Sequence, residues 1–345
     1  MAVEQAVILA GGLGTRLRPM TDRRSKLALP VLNQPLLGYE LRQLARHGIA
    51  EVVLAAGYQA ETLRQALGTG HGYGVKLEFA EEPEPLGTAG AIKNVEDLIG
   101  GAFLAMNGDY IRDLDFAALV EAHEEAEAMA TIAVYEVEDP SAYGLVRRDE
   151  EGRVLEFAEK EEQRGSDERT INAGAYVMEP EVLDYIEAGK VQSNEYDLFP
   201  RLLAAGARVH SYLHRGYWLD VGRPAQYLQA HWDLLDGEAD TLLPPDAEAL
   251  IRRHRGALRA PSFVAQDAEA ADDAVVGPYA SVGSGCRIES GARIERSVLW
   301  DDVEVGAGSQ VEGAIVCAGA RLPEGTQLQP GDIVPEEGTE PPRSA

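Results

Sequence analysis

Ala6-Val7-Ile8-Leu9-Ala10-Gly11-Gly12-Leu13-Gly14-Thr15-Arg16-Leu17-Arg18-Pro19 passes from an apolar run straight into a glycine-rich turn carrying two arginines. Five apolar residues closed by glycine read as a buried strand rather than a helix of ordinary length. Glycines let the backbone approach a polyphosphate and aim successive N–H groups at it. Arg16, and Lys26 further along, then add full positive charge to the same loop. Two familiar phosphate loops do not fit. No Gly-Lys-Ser/Thr triplet follows, as a Walker loop requires, and Leu17 stands where a dinucleotide loop needs its third glycine. A nicotinamide oxidoreductase is set aside on that ground.

Outward from this loop, the apolar runs Glu51 to Ala55, Val75 to Ala80, Ala102 to Met106 and Thr131 to Val137 alternate with helix-period segments to about residue 220. Gln34 to His47 carries Leu36, Leu37, Tyr39, Leu41 and Leu44 at broadly helical spacing, with Gly48 as a stop. The pattern predicts an α/β fold with a Rossmann-like, mainly parallel sheet covered by helices. A helix is expected over Pro224 to Leu235, followed by a linker rich in Asp, Glu, Pro and Arg.

Beyond Phe263 glycine, alanine and valine dominate, and Val276, Val282, Ile288 and Ile294 recur at six-residue steps. After a five-residue step to Leu299, Val305 and Val311 resume the period. Small residues between aliphatics at this spacing predict a parallel β-helix, each side of a coil contributing one inward aliphatic. The expected organisation is a catalytic domain over 1–235, a linker over 236–262, a β-helix of roughly two to three coils over 263–335 and a disordered tail over 336–345.

A formal charge of -27 argues against nucleic acid and anionic membranes as partners, since both are drawn to positive potential. The N-terminus lacks a basic signal region, and no apolar stretch reaches membrane-span length. A cytoplasmic location is expected, with Cys286 and Cys317 as buried free thiols.

The segment Leu9 to Lys26 resembles the signature of the sugar-1-phosphate nucleotidylyltransferases. The resemblance continues in order through Glu82-Pro83-Glu84-Pro85-Leu86-Gly87-Thr88-Ala89-Gly90, Asn107-Gly108-Asp109, Ala142-Tyr143-Gly144, Glu159-Lys160, Asn172-Ala173-Gly174 and Trp218-Leu219-Asp220-Val221-Gly222. It covers about 1–235. The tail looks like the left-handed β-helix appended in GDP-mannose pyrophosphorylases and some long thymidylyltransferases. Ser25-Lys26-Leu27 and Glu159-Lys160-Glu161 depart from the family's Pro-Lys-Pro and Glu-Lys-Pro, but neither change removes a charged group.

The resemblance implies a GT-A-like nucleotidyltransferase sheet and attack of a sugar-1-phosphate on the α-phosphorus of a nucleoside triphosphate. Leu9, Ala10, Gly11, Gly12, Gly14, Thr15, Arg16, Glu82 and Gly87 would bind the nucleotide, with Arg16 and Lys26 as the catalytic cations. Gly144, Glu159, Lys160 and Asn172 would hold the sugar phosphate, and Asp109 and Asp220 a Mg²⁺ ion. At Glu82 a carboxylate accepts but cannot donate, which suits the N1–H and N2–H₂ donors of guanine and favours GTP. Mannose-1-phosphate follows by family association, and a pseudo-sugar phosphate fits equally. The alternatives are a glucose-1-phosphate thymidylyl- or uridylyltransferase and a non-catalytic regulatory paralogue that binds nucleotide sugar. The histidines end at His254, so the tail lacks the base of β-helical acyltransferases. It is expected to serve assembly or regulation, giving a homo-oligomer.

Overall fold

A computed structural model describes residues 3–57, 59–82, 84–158, 169–243 and 258–336. The chain divides into two compact units, one drawn from Met1–Gly12 and Glu40–Trp218, the other from Leu13–Tyr39 and Leu219–Ala345.

Strands β1 (Gln5–Leu9), β2 (Glu51–Ala56), β3 (Lys76–Glu81) and β4 (Phe103–Asn107) alternate with helices α1 (Leu36–Arg46), α2 (Ala60–Leu67) and α3 (Gly87–Asn94). They lie in the order β4-β1-β2-β3, all parallel, with Val7 opposite Val53 on one side and Ala105 on the other. Val7 and Ile8 are fully buried on opposite faces of β1, as a central strand covered on both sides requires.

The other half of this nine-stranded sheet is largely antiparallel. After α4 (Phe116–Glu125) come β5 (Ala130–Glu136), β6 (Leu145–Arg148), β7 (Val154–Ala158), β8 (Thr170–Met178), α5 (Phe199–Ala204) and β9 (Val209–Leu213). Strand β8 runs antiparallel to β4, β5 and β6, β7 antiparallel to β6, and β9 parallel to β5. The expectation of a parallel sheet holds for the half that carries the glycine loop. The core joins Val7, Val53 and Ala105 to Ile132, Tyr176 and Phe199. The turns after β1, β3 and β4 emerge at the carboxyl end of the parallel strands, where α/β sheets place ligands.

In the second unit, short turns at Thr15–Leu17 and Lys26–Ala28 are followed in the chain by α6 (Pro224–Asp236) and the β-helix. Its three sheets hold five, four and four parallel strands. Val276 pairs with Ile294 and Ile294 with Val311; Val282 pairs with Leu299 and Leu299 with Val316; Ile288 pairs with Val305 and Val305 with Leu322. A further rung precedes these, with Leu258, Val264 and Ala270 aligned on Val276, Val282 and Ile288.

Four rungs therefore stack, capped by Leu328 and Val334, in place of the two to three expected. Periodicity missed the first because Ala270 is small and Leu258 precedes the change in composition. It missed the last because the five-residue step recurs between Val311 and Val316. Both cysteines are free and buried. Burial pushes the Cys286 thiol up to about 11 and that of Cys317 up to about 12.

Candidate active site

In the first unit, β1 delivers Leu9 and Ala10 to the loop, and Ala10 N–H still donates to Ala55 O at 2.8 Å. Gly11 and Gly12 follow directly. Glu82 leaves the end of β3, and a side chain on Gly11 would begin 3.4 Å from Glu82 Oε2. Glycine is what lets this carboxylate lie against the loop. Oε2 accepts from Leu86 N at 3.5 Å, while Oε1 is buried with no hydrogen-bond partner among the described residues. Desolvation raises the Glu82 pKa above the usual carboxylate value. A buried acceptor in this state is matched to an N–H donor that the described residues do not supply.

Gly87 opens α3 at φ +72, and a side chain there would begin 2.5 Å from Gln192 O. That carbonyl instead accepts from Ala89 N at 2.9 Å, and Thr88 Oγ1 accepts from Asn194 N at 2.7 Å. Close approach of the segment around Gln192 to α3 accounts for glycine at this position without a ligand.

Asp109 occupies the turn between β4 and the short strand Tyr110–Arg112. The buried Arg112 anchors that strand: Nη1 donates to Ala173 O at 2.7 Å, and Nε lies 2.6 Å from Glu40 Oε1. Gly144 and Asn172 are brought together by the β6–β8 pairing, with Asn172 N donating to Gly144 O at 3.4 Å. The Asn172 side chain is extensively engaged. Its Nδ2 donates to Tyr176 Oη at 2.8 Å and to Glu195 Oε1 at 2.9 Å, and its Oδ1 accepts from Gly174 N at 2.9 Å. With both donors committed, what it can offer a sugar hydroxyl is the second lone pair of Oδ1.

An aromatic wall stands beside these residues. Trp218 is stacked between Tyr110 and Tyr135, at 5.1 and 5.4 Å between centroids, and meets the edge of Tyr143 at 5.5 Å. Trp218 Nε1 donates to Ala173 O at 3.2 Å. This wall and Glu195 were not singled out by the sequence reading. Tyr143 and Trp218 lie inside two of the quoted motifs, but periodicity does not say that four rings from distant segments converge. Glu159 and Lys160 lie outside the described residues.

The second unit holds Gly14, Thr15, Arg16, Lys26 and Asp220. Gly14 takes φ +60, and a side chain there would begin 3.0 Å from Thr21 Cγ2 and 3.3 Å from Lys26 Cβ. Thr21 Oγ1 donates to Gly14 O at 2.9 Å, closing the loop over Lys26. The Lys26 side chain is 8% exposed, and its Nζ lies 4.0 Å from Asp220 Oδ1. A side chain on Gly222 would begin 3.1 Å from Asp220 Oδ1 and 3.2 Å from Arg16 Nη2, so glycine keeps this space open between a cation and a carboxylate. Three predicted charged residues thus converge.

Among the described residues no cluster of three or more His, Cys, Asp or Glu side chains could hold a metal ion. A single carboxylate with phosphate oxygens and waters is a donor set that Mg²⁺ accepts, and Asp220 beside the lysine is of that kind.

The nucleotidyl transferase family profile matches residues 5–237, and the GMPPB C-terminal domain profile matches residues 258–339. The chain is 36% identical over 333 residues to a mannose-1-phosphate guanylyltransferase of Mycobacterium tuberculosis, covering 95% of this chain and 84% of that one. It is 38% identical over 228 residues to a mannose-1-phosphate guanylyltransferase catalytic subunit beta of Drosophila pseudoobscura pseudoobscura, 65% of this chain and 60% of that one. HddC from Yersinia pseudotuberculosis, solved in complex with GMP-PN, is 28% identical with a TM-score of 0.58, over 67% of this chain and all of that one.

Proposed function

This chain belongs to the nucleotidyl transferase family, and we propose that it joins GTP to mannose-1-phosphate, releasing pyrophosphate and forming GDP-mannose. The observation that carries the choice of base is the buried Oε1 of Glu82, unpartnered among the described residues, on a carboxylate that lies against Gly11. Guanine offers N1–H and N2–H₂ to such an acceptor, whereas thymine and uracil place a carbonyl on each side of one N–H. The names of the relatives support the same reading.

A phosphate oxygen of the sugar-1-phosphate attacks the α-phosphorus, the bond from that phosphorus to the β-phosphate oxygen breaks, and pyrophosphate leaves. Neither step needs a covalent nucleophile, so positioning and charge neutralisation carry the catalysis. Arg16 and Lys26 hold the triphosphate and meet the charge that builds on the leaving pyrophosphate. Asp220 would hold Mg²⁺, which when bound neutralises phosphate charge. Gly144, Asn172 and the Trp218 wall receive the sugar, and Lys160 its phosphate. The β-helix supports a homo-oligomer, since Leu328, Ile333 and Val334 on its last rung are only half-buried. A cytoplasmic enzyme fits this chemistry; no helix among the described residues is long and apolar enough to cross a membrane.

The test is pyrophosphate release from GTP, dTTP, UTP, CTP and ATP, each with mannose-, glucose- and N-acetylglucosamine-1-phosphate and Mg²⁺. GTP with mannose-1-phosphate is expected to turn over fastest. Preference for dTTP or UTP would refute the reading of Glu82, and release from no pair would refute the activity.

A further inference from the structure

Residues 13–39, which carry Arg16 and Lys26, belong to the same compact unit as the β-helix. Two contacts from one buried β-helix residue explain how. The Arg24 guanidinium lies over the Trp300 ring, 4.7 Å from its centroid, and pairs with Glu336 at the end of the described β-helix. From the same indole, Nε1–H donates to Tyr227 Oη at 2.9 Å, and the Tyr227 hydroxyl donates to Pro30 O. Tyr227 is fully buried on α6, and Trp300 is 2% exposed. Arg24 and Pro30 flank Lys26 on either side in the chain.

We propose that Trp300 is a positioning residue for the reaction: through Arg24 and Tyr227 the β-helix holds both ends of the segment that presents Lys26 to the triphosphate. The appended helix then has a role in turnover apart from assembly. A cation stacked on a buried indole and an indole N–H to hydroxyl to carbonyl chain are directional contacts, and they fix the backbone on both sides of the lysine. Displacement of a catalytic group by about 1 Å can lower the rate by about 100-fold, so the lysine need not be touched directly for turnover to fall. The inference rests on Lys26 as a triphosphate ligand.

The experiment uses the full chain with Arg24→Gln, Arg24→Lys, Trp300→Phe and Glu336→Gln, measuring kcat, both KM values, the melting temperature and the oligomeric state. Arg24→Gln and Trp300→Phe are expected to raise KM for GTP and lower kcat, each by about 10-fold, leaving KM for the sugar phosphate within about 2-fold. Melting and oligomeric state of the Arg24 variants should match the unsubstituted protein, and Arg24→Lys should recover most of the loss by restoring a stacked cation. Unchanged kinetics in Arg24→Gln would overturn the inference, as would equal rises in both KM values or a loss that merely follows melting. Arg24 is partly exposed, so its variants carry the test if Trp300→Phe does not fold. Should the unsubstituted enzyme release no pyrophosphate, the activity reading fails by itself. Calorimetric titration of GTP into the same variants then decides the inference: weaker binding supports it and equal binding refutes it.

Discussion

Glu82 Oε2 lies 3.4 Å from the point at which a side chain on Gly11 would begin, so the glycine of the first loop and the acid after β3 form one surface. The remaining oxygen of that acid is buried and unpaired among the described residues.

Replacing Glu82 by glutamine exchanges one acceptor for an amide that must present its N–H₂ or its oxygen. Loss of a paired base contact costs about 1–3 kcal/mol, so kcat/KM for GTP is expected to fall about 10- to 100-fold while that for UTP or dTTP rises relative to it. Desolvation raises the pKa of Glu82. Its carboxylate is therefore lost earlier on acidification than an ordinary glutamate, and kcat/KM for GTP falls as pH drops through the raised value. The acidic limb should be absent in Glu82→Gln, which a pH profile of both proteins checks.

Lys26 and Asp220 face each other across 4.0 Å with little access to solvent. Lys26→Gln removes a charge aimed at the leaving group, and one such donor contributes about 3 kcal/mol, so kcat should fall by about 100-fold or more. Asp220→Asn should instead raise the Mg²⁺ concentration giving half-maximal rate. Metal titrations of the two variants separate the roles: a normal Mg²⁺ response in Asp220→Asn would remove that residue from the metal site.

Most of this was legible because each signal is local. The strand before Gly11 reads from five adjacent apolar residues, and the β-helix reads from aliphatics six apart. The antiparallel half of the sheet was not, since β8 pairs with three strands, and its register against β5 shifts between Asn172 and Tyr176. The commitment of Asn172 to Tyr176 and Glu195 is likewise a tertiary fact. The same holds for Gly87: the motif containing it reads as a nucleotide contact, yet the structure gives a packing reason through Gln192. The first rung at Leu258 escaped because Ala270 is small and Leu258 lies before the change in composition.

Gly87→Ala tests that packing reason. A side chain would need φ +72 and would begin 2.5 Å from Gln192 O, so either the turn or the facing segment must shift. Left-handed backbone and overpacking together are expected to cost about 2–4 kcal/mol. Urea denaturation measures it; a variant as stable as the parent but impaired in nucleotide binding would mean that a nucleotide contact, and not packing against Gln192, requires the glycine.

Arg112 and Glu40 form a buried ion pair at 2.6 Å, and Arg112 also holds Ala173 O. Burial raises the Glu40 pKa, and the adjacent guanidinium opposes that rise. Arg112→Met leaves a buried carboxylate uncompensated, and breaking such a pair costs about 3–5 kcal/mol. The sign with pH follows from the raised value. A carboxyl whose folded pKa exceeds its unfolded one is less destabilising when protonated, and removing Arg112 raises that pKa further. The deficit of Arg112→Met should therefore be largest near neutral pH and shrink as pH falls, while Glu40→Gln combined with Arg112→Met should flatten it. Urea denaturation of the parent and both variants at neutral and mildly acidic pH gives the comparison. A deficit that stays constant across that range would mean that lost packing around Arg112, and not the stranded charge of Glu40, sets the cost.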